Sequence, residues 1–170
     1  MRRDGFSMVE LMAAMLVLGI IAASAAVRIH GPLRKARMRD VADAVARFDR
    51  ATRLAARRSG RELRIVVDLG GGRLGRGLGD GQEAPSQPLA LPGEYRFQGL
   101  LIEGQFIGTG RPYVLCSALG LTPSYALLLE GPRQRTWVVV AGLTGQIFEV
   151  ESEPQARQIL SVVDARLHAG

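Results

Sequence analysis

At 170 residues and a formal net charge of +6, the chain has room for one modest domain with its own core and not for two. Its one cysteine, Cys116, excludes an intrachain disulfide, and with only His30 and His168 besides, no zinc-type cluster can be assembled. The charge is lopsided: residues 1–59 carry twelve basic and five acidic side chains, a net of +7, whereas residues 60–170 carry ten and eleven, a net of −1. A nearly neutral C-terminal part lacks the basic surface that a nucleic-acid reading needs. With Lys35 the single lysine among 22 basic residues, the arginine richness is read as coding bias.

Behind Arg2 and Arg3, the stretch Gly5-Phe6-Ser7-Met8-Val9-Glu10 leads into an apolar and small-residue run from Leu11 to Val27, interrupted only by Ser24. As a helix rising about 1.5 Å per residue, 6–27 is long enough to cross a hydrocarbon core roughly 30 Å thick. Glu10 is the exception inside it, and an ionisable group at that depth costs up to about 3 kcal/mol unless it is paired or lies near the interface. A secretory signal peptide, with Ala23-Ser24-Ala25 or Ala25-Ala26-Val27 as the cleavage site, fits the basic start but not Glu10 or the length of the run. A generic signal anchor explains the length and gives no reason for Gly5 or Glu10.

The stretch from Gly5 to Leu11 resembles the class III signal of type IV pilins and type II secretion pseudopilins. In that family a dedicated peptidase cuts after the glycine, the new N-terminal residue is N-methylated, and a glutamate stands fifth in the mature chain. The resemblance implies cleavage between Gly5 and Phe6, methylation of Phe6, and a pairing role for Glu10 in assembly. Ser7 replaces the commoner Thr, and Met8-Val9 the commoner Leu-Ile. The physics agrees: cleavage would create a positive α-amino group at Phe6, and four residues of helix put Glu10 one turn away on the same face. Ala13, Ala14, Gly19, Ala22, Ala23, Ser24, Ala25 and Ala26 suit close helix packing. Arg28, Arg34, Lys35, Arg37 and Arg39 outnumber Arg2 and Arg3, so a plain count by the positive-inside rule places the body of the protein in the cytoplasm. The cleavage motif requires a cytoplasmic leader, and it is given precedence.

Beyond Pro32, Met38, Val41, Val45, Phe48 and Ala55 recur at helical spacings, with Asp43–Arg47 and Asp49–Arg53 expected as i,i+4 pairs on the outer face. Ser59-Gly60 ends this helix. The arginine-rich outer side is most simply solvated, with acidic lipid headgroups an alternative contact around 28–39. Glu62 to Leu69 alternates as a half-buried strand. Gly70 to Gly81 and the Pro85–Pro92 tract read as a flexible surface loop. Gly70-Gly71-Gly72-Arg73-Leu74-Gly75 formally fits G-x-G-x-x-G, but no helix can be written after it, so a dinucleotide site is rejected. Further strands are expected at Tyr95–Ile102, Arg111–Cys116, Ser124–Leu129, Thr136–Val140 and Gln146–Val150, arranged as an antiparallel meander. Cys116, Tyr113, Tyr125 and Trp137 fall in these strands as core or cross-strand residues. Pro154 to His168 is expected as a closing helix with Ile159, Val163 and Leu167 on one face.

The fold class expected is α+β and pilin-like: a long N-terminal helix, transmembrane then amphipathic, packed on an antiparallel sheet, with a short C-terminal helix. The segments are a leader (1–5), a transmembrane half-helix (6–27), an amphipathic half-helix (28–59), a β domain (60–151) and a terminal helix (152–170). Helix end, Arg-Ser-Gly and a strand ending in Asp (Ala55 to Asp68) resemble the H-type minor pseudopilins of type II secretion. So does the run from Ser117-Ala118-Leu119-Gly120 through an apolar hairpin to Leu143-Thr144-Gly145-Gln146-Ile147. The resemblance implies a non-enzymatic structural subunit of the secretion pseudopilus, in the inner membrane with its C-terminal domain in the periplasm. Its partners would be prepilin peptidase, other pseudopilins and the inner-membrane assembly platform. No cofactor, metal or specific nucleic acid is implied. A minor type IV pilin, serving pilus assembly or DNA uptake, is the alternative.

Overall fold

The computed structural model describes residues 8–82, 87–132 and 134–168, except the side chains of 21–35 and 165–168. Helix α1 runs from Met8 to Ser59. It stops where Gly60 takes a φ of +62°, the left-handed conformation in which glycine closes helices without a Cβ clash. The chain divides between Asp40 and Val41 into two compact units, and the second holds the whole β structure.

In that unit β1 (Leu63–Asp68) buries Leu63, Ile65 and Val67 on one face, as the alternation predicts. The expected loop after it instead contains a strand. β2 (Arg73–Leu78) pairs antiparallel with β1 from Leu63↔Leu78 to Asp68↔Arg73. Asp68 accepts hydrogen bonds from the backbone of Gly70 (3.1 Å) and Gly71 (2.8 Å) to shape the turn. Glycine weakens a strand only where its own preference decides. Here the β1 ladder supplies the backbone bonds and Leu74 is buried, so pairing outweighs the glycine content. A Cβ at Gly77 would lie 3.3 Å from the Gln82 carbonyl, which shows how closely the returning chain covers the strand. β3 (Leu89–Ala90), inside the proline-bounded tract, adds to the far side of β2.

β4 (Arg96–Ile102) and β5 (Gln105–Ile107) form a hairpin not anticipated from the sequence. Its two-residue turn, Glu103 at φ 49° and Gly104 at φ 75°, has the two positive φ values that suit strand twist, with glutamate at a place usually held by Asn or Asp. Phe106 lies across Gly99, where a Cβ would come within 2.2 Å of the ring, and meets Trp137 edge-on at 6.0 Å.

β6 (Tyr113–Cys116) corrects the expected single meander by pairing with β1. β7 (Tyr125–Glu130), β8 (Arg135–Val140) and β9 (Ile147–Val150) do run as a meander, with β4 on the other side of β7. Among the described residues the result is two antiparallel sheets, β3-β2-β1-β6 and β5-β4-β7-β8-β9. The separation has a local cause: between β6 and β7 the chain turns at Ser117–Leu121, where the Ser117 N–H donates to the Leu121 carbonyl at 2.8 Å.

Helix α2 (Glu153–His168) begins with Pro154 in its first turn, where a missing N–H removes nothing from the helix. Its Ala156 and Leu160 are buried against Leu101, Ala126, Trp137 and Val139, with Ile159 partly buried beside them. The contact stripe is therefore centred one residue off the expected Ile159–Val163 line, and the side chain of Leu167 lies outside the described residues. Arg157 donates to Glu153 (2.8 Å) and to the Gly104 carbonyl (2.8 Å), tying α2 to the β4–β5 turn.

Truncating Leu160 to Ala should destabilise the full chain in detergent by about 2–4 kcal/mol in urea unfolding. Val162→Ala, at a side chain 50% exposed, should change it by under about 1 kcal/mol; equal effects would contradict this docking of α2.

Candidate functional site

Two features of α1 stand out, one in each unit. In the first, nine large apolar side chains from Met8 to Ile20 are all between 53% and 83% exposed. They occupy every side of the helix, the pattern of a segment meant to be enclosed by something other than water. Burying each is worth about 1.5–3 kcal/mol, so leaving nine in water forgoes on the order of 14–27 kcal/mol, at or above the stability of a typical domain. Glu10 sits in the first turn of this helix, exposed like its neighbours. Gly5 and Phe6 lie outside the described residues. Among the described residues no helix is long and apolar enough to cross a membrane; the expected span over 6–27 extends past the side chains that are described.

The second feature corrects the placement of Asp49 and Arg53. Expected on the outer face, they form a buried ion pair, Arg53 Nε to Asp49 Oδ2 at 2.5 Å. The helical period contains the signal: Val41, Val45, Asp49, Thr52 and Ala56 follow one another at steps of three and four, and all are buried. Phe48 and Ala55, read as core, lie at the edge of that stripe and are only partly covered.

Every polar atom of the pair is used. Tyr125 donates its hydroxyl to Asp49 Oδ1 (3.0 Å), Arg53 Nη2 donates to Thr122 Oγ1 (2.6 Å), and Arg53 Nη1 donates to the Gly142 carbonyl. One turn on, Arg57 Nε donates to the Leu119 carbonyl (2.9 Å). The Gly142 N–H in turn donates to Ser124 Oγ (3.1 Å). Thus the β6–β7 and β8–β9 connections converge on one helical turn. Glycine lets them approach: a Cβ on Gly142 would lie 2.2 Å from the Thr122 carbonyl, and one on Gly120 2.6 Å from Arg57 Nε. These are the two ends of the run from Ser117 to Ile147 noted in the sequence.

Burial, reinforced by the neighbouring Asp49 carboxylate, pushes the Tyr125 phenol well above its ordinary value, so the neutral form is held in place as a donor. Burial likewise raises the Cys116 thiol, consistent with an inert core cysteine. Among the described residues no group of three His, Cys, Asp or Glu side chains could hold a metal ion.

Residues 1–26 match the family described as the prokaryotic N-terminal methylation motif. The chain carries that motif at its N-terminus. That motif contains Gly5, Phe6 and Glu10, and it precedes the buried pair by more than twenty residues. Among solved structures, the minor pseudopilin EpsH from the type 2 secretion system of Vibrio cholerae is similar to this chain at 16% sequence identity and a TM-score of 0.48, covering 66% of this chain and 95% of that one. No curated protein matches.

Replacing Asp49 by Ala leaves a buried guanidinium without its partner and should destabilise the full chain by about 3–5 kcal/mol, whereas the double change Asp49→Leu/Arg53→Met should be less harmful than either single change. Additive losses in denaturant unfolding would show that the two side chains act independently. The raised Tyr125 value means that the folded state keeps a proton the unfolded state releases. Its contribution is complete below the ordinary tyrosine range, about pH 10, and is lost as pH rises above it. Ultraviolet titration should show a phenol that ionises late and is missing in Tyr125→Phe; a late phenol persisting in that variant would contradict the assignment.

Proposed function

We propose that this chain is a minor pseudopilin, a non-enzymatic structural subunit of a type II secretion pseudopilus. In this reading prepilin peptidase cuts between Gly5 and Phe6, Phe6 is N-methylated, and α1 anchors the subunit in the inner membrane with residues 41–170 in the periplasm. The observation that carries it is the methylation motif over residues 1–26, opening a helix whose apolar residues are exposed on all sides. Such a helix needs lipid before assembly and neighbouring helices after it. Its partners in this reading are the other pseudopilins of the filament and the inner-membrane assembly platform.

Glu10 then has a defined role. Cleavage would place an α-amino group one helical turn from its carboxylate, and two such charges in an apolar medium stabilise each other far more than water-exposed ones do. Pairing between neighbouring subunits aligns the incoming helix with those already in place. The two carboxyl-terminal resemblances to H-type minor pseudopilins favour secretion over a type IV pilus. The adjacent genes test that choice: a secretion ATPase and outer-membrane secretin support it, and twitching or competence genes point to a minor pilin.

Glu10→Ala should leave the protein in the membrane fraction but lower its recovery in sheared filaments by at least about tenfold, the loss expected when one member of a buried charge pair is removed. Undiminished co-assembly, measured by immunoblot of pelleted filaments, would remove the pairing role.

A further inference from the structure

The apolar run of α1 gives way abruptly to a cationic one on the same continuous helix. From Leu11 to Val27 no residue is charged, and from Arg28 to Arg39 every charge is positive: Arg28, Arg34, Lys35, Arg37 and Arg39. The first carboxylate after Glu10 is Asp40, the last residue before the unit that carries the sheets. From Asp40 onward acidic and basic residues are interspersed.

At the helical period Arg28, Lys35 and Arg39 share one stripe, whereas Arg34 and Arg37 fall on the opposite side. A helix lying flat on a membrane gathers its cations on one face. Cations on two opposite sides of the circumference suit a helix passing through a charged layer. The distances agree: Arg28 to Lys35 spans about 10 Å of helix and Arg28 to Arg39 about 17 Å, against a headgroup layer of roughly 5–8 Å on each side of the hydrocarbon. The gap that remains is within the combined reach of a long Arg or Lys stem and one Debye length, roughly 8 Å.

We propose that the segment from Arg28 to Arg39 is a collar that binds the phosphates of anionic phospholipids at the membrane face from which the head emerges. The inference rests on the membrane reading of the proposed function. It also accounts for the cations on the C-terminal side of the span, which in this reading face lipid phosphate and do not mark the cytoplasmic end. Each cation near an anionic surface favours binding by about fivefold, so even partial engagement of the five gives a preference of at least about tenfold.

The test uses the full chain in neutral detergent with equal amounts of phosphatidylglycerol and phosphatidylcholine, counting bound lipids by native mass spectrometry. Phosphatidylglycerol should be preferred at least about tenfold, equally in an Arg2→Gln/Arg3→Gln background. Arg28→Gln/Arg34→Gln/Lys35→Gln/Arg37→Gln/Arg39→Gln should bring the two lipids near parity, whereas Arg28→Lys/Arg34→Lys/Arg37→Lys/Arg39→Lys should keep the preference. Equal binding by the unaltered chain, or an undiminished preference in the neutralised variant, overturns the collar. Alkaline carbonate treatment of phosphatidylcholine vesicles reads anchoring alone. Retention of both chains with parity in lipid binding defeats the collar while sparing the anchor; release of the unaltered chain defeats both.

Discussion

The Arg53 side chain is 8% exposed and that of Asp49 1%, so their charges must find inside the fold the partners that water would otherwise provide. Those partners are Tyr125 at the start of β7, Thr122 in the connection before it and the Gly142 carbonyl after β8. One helical turn thereby fixes where the second sheet sits on α1. Next to Asp49 and Arg53, Thr52 accepts a hydrogen bond from Arg76 of β2 at 3.2 Å, so the same stretch also holds the first sheet. Apolar burial gives the head most of its stability, while the hydrogen-bonded charges specify a single arrangement of helix and loops.

The overall architecture was legible because long signals carry it. The helix from Met8 to Ser59, the alternation of Leu63 to Asp68, the apolar strands from Tyr125 to Val140 and the closing helix all follow from periodicity. What escaped depends on pairing across distant parts of the chain. β2 is half-hidden by Gly75 and Gly77, and its strand character comes from the β1 ladder. β5 is three residues long and is held by Phe106 lying over Gly99. β6 resembles any other alternating segment, and only its register with β1 assigns it to the first sheet.

The candidate sites divide along the same line. Gly5, Phe6 and Glu10 form a local motif and need no fold to be recognised. Asp49 and Arg53 were visible as an i,i+4 pair, but charge suggested the solvent face where helical phase puts them beside Val45 and Ala56. Tyr125, Thr122 and Gly142 are distant in sequence and join the pair only through the docking of two loops. Composition therefore exposed the apolar end of the chain and its methylation motif, and tertiary structure exposed the device that holds the head to its helix.

These two ends of α1 do complementary work. The N-terminal end leaves apolar surface exposed, and the C-terminal end is covered by the molecule's own sheets; under the proposed function the first inserts and the second is displayed. The most direct measurement of that account is intact-mass and N-terminal mass spectrometry of the protein isolated from its native host. The account predicts a chain beginning at Phe6 with a single methyl group on its α-nitrogen; a chain retaining Met1 to Gly5, or beginning after Ala25 or Val27, would contradict it.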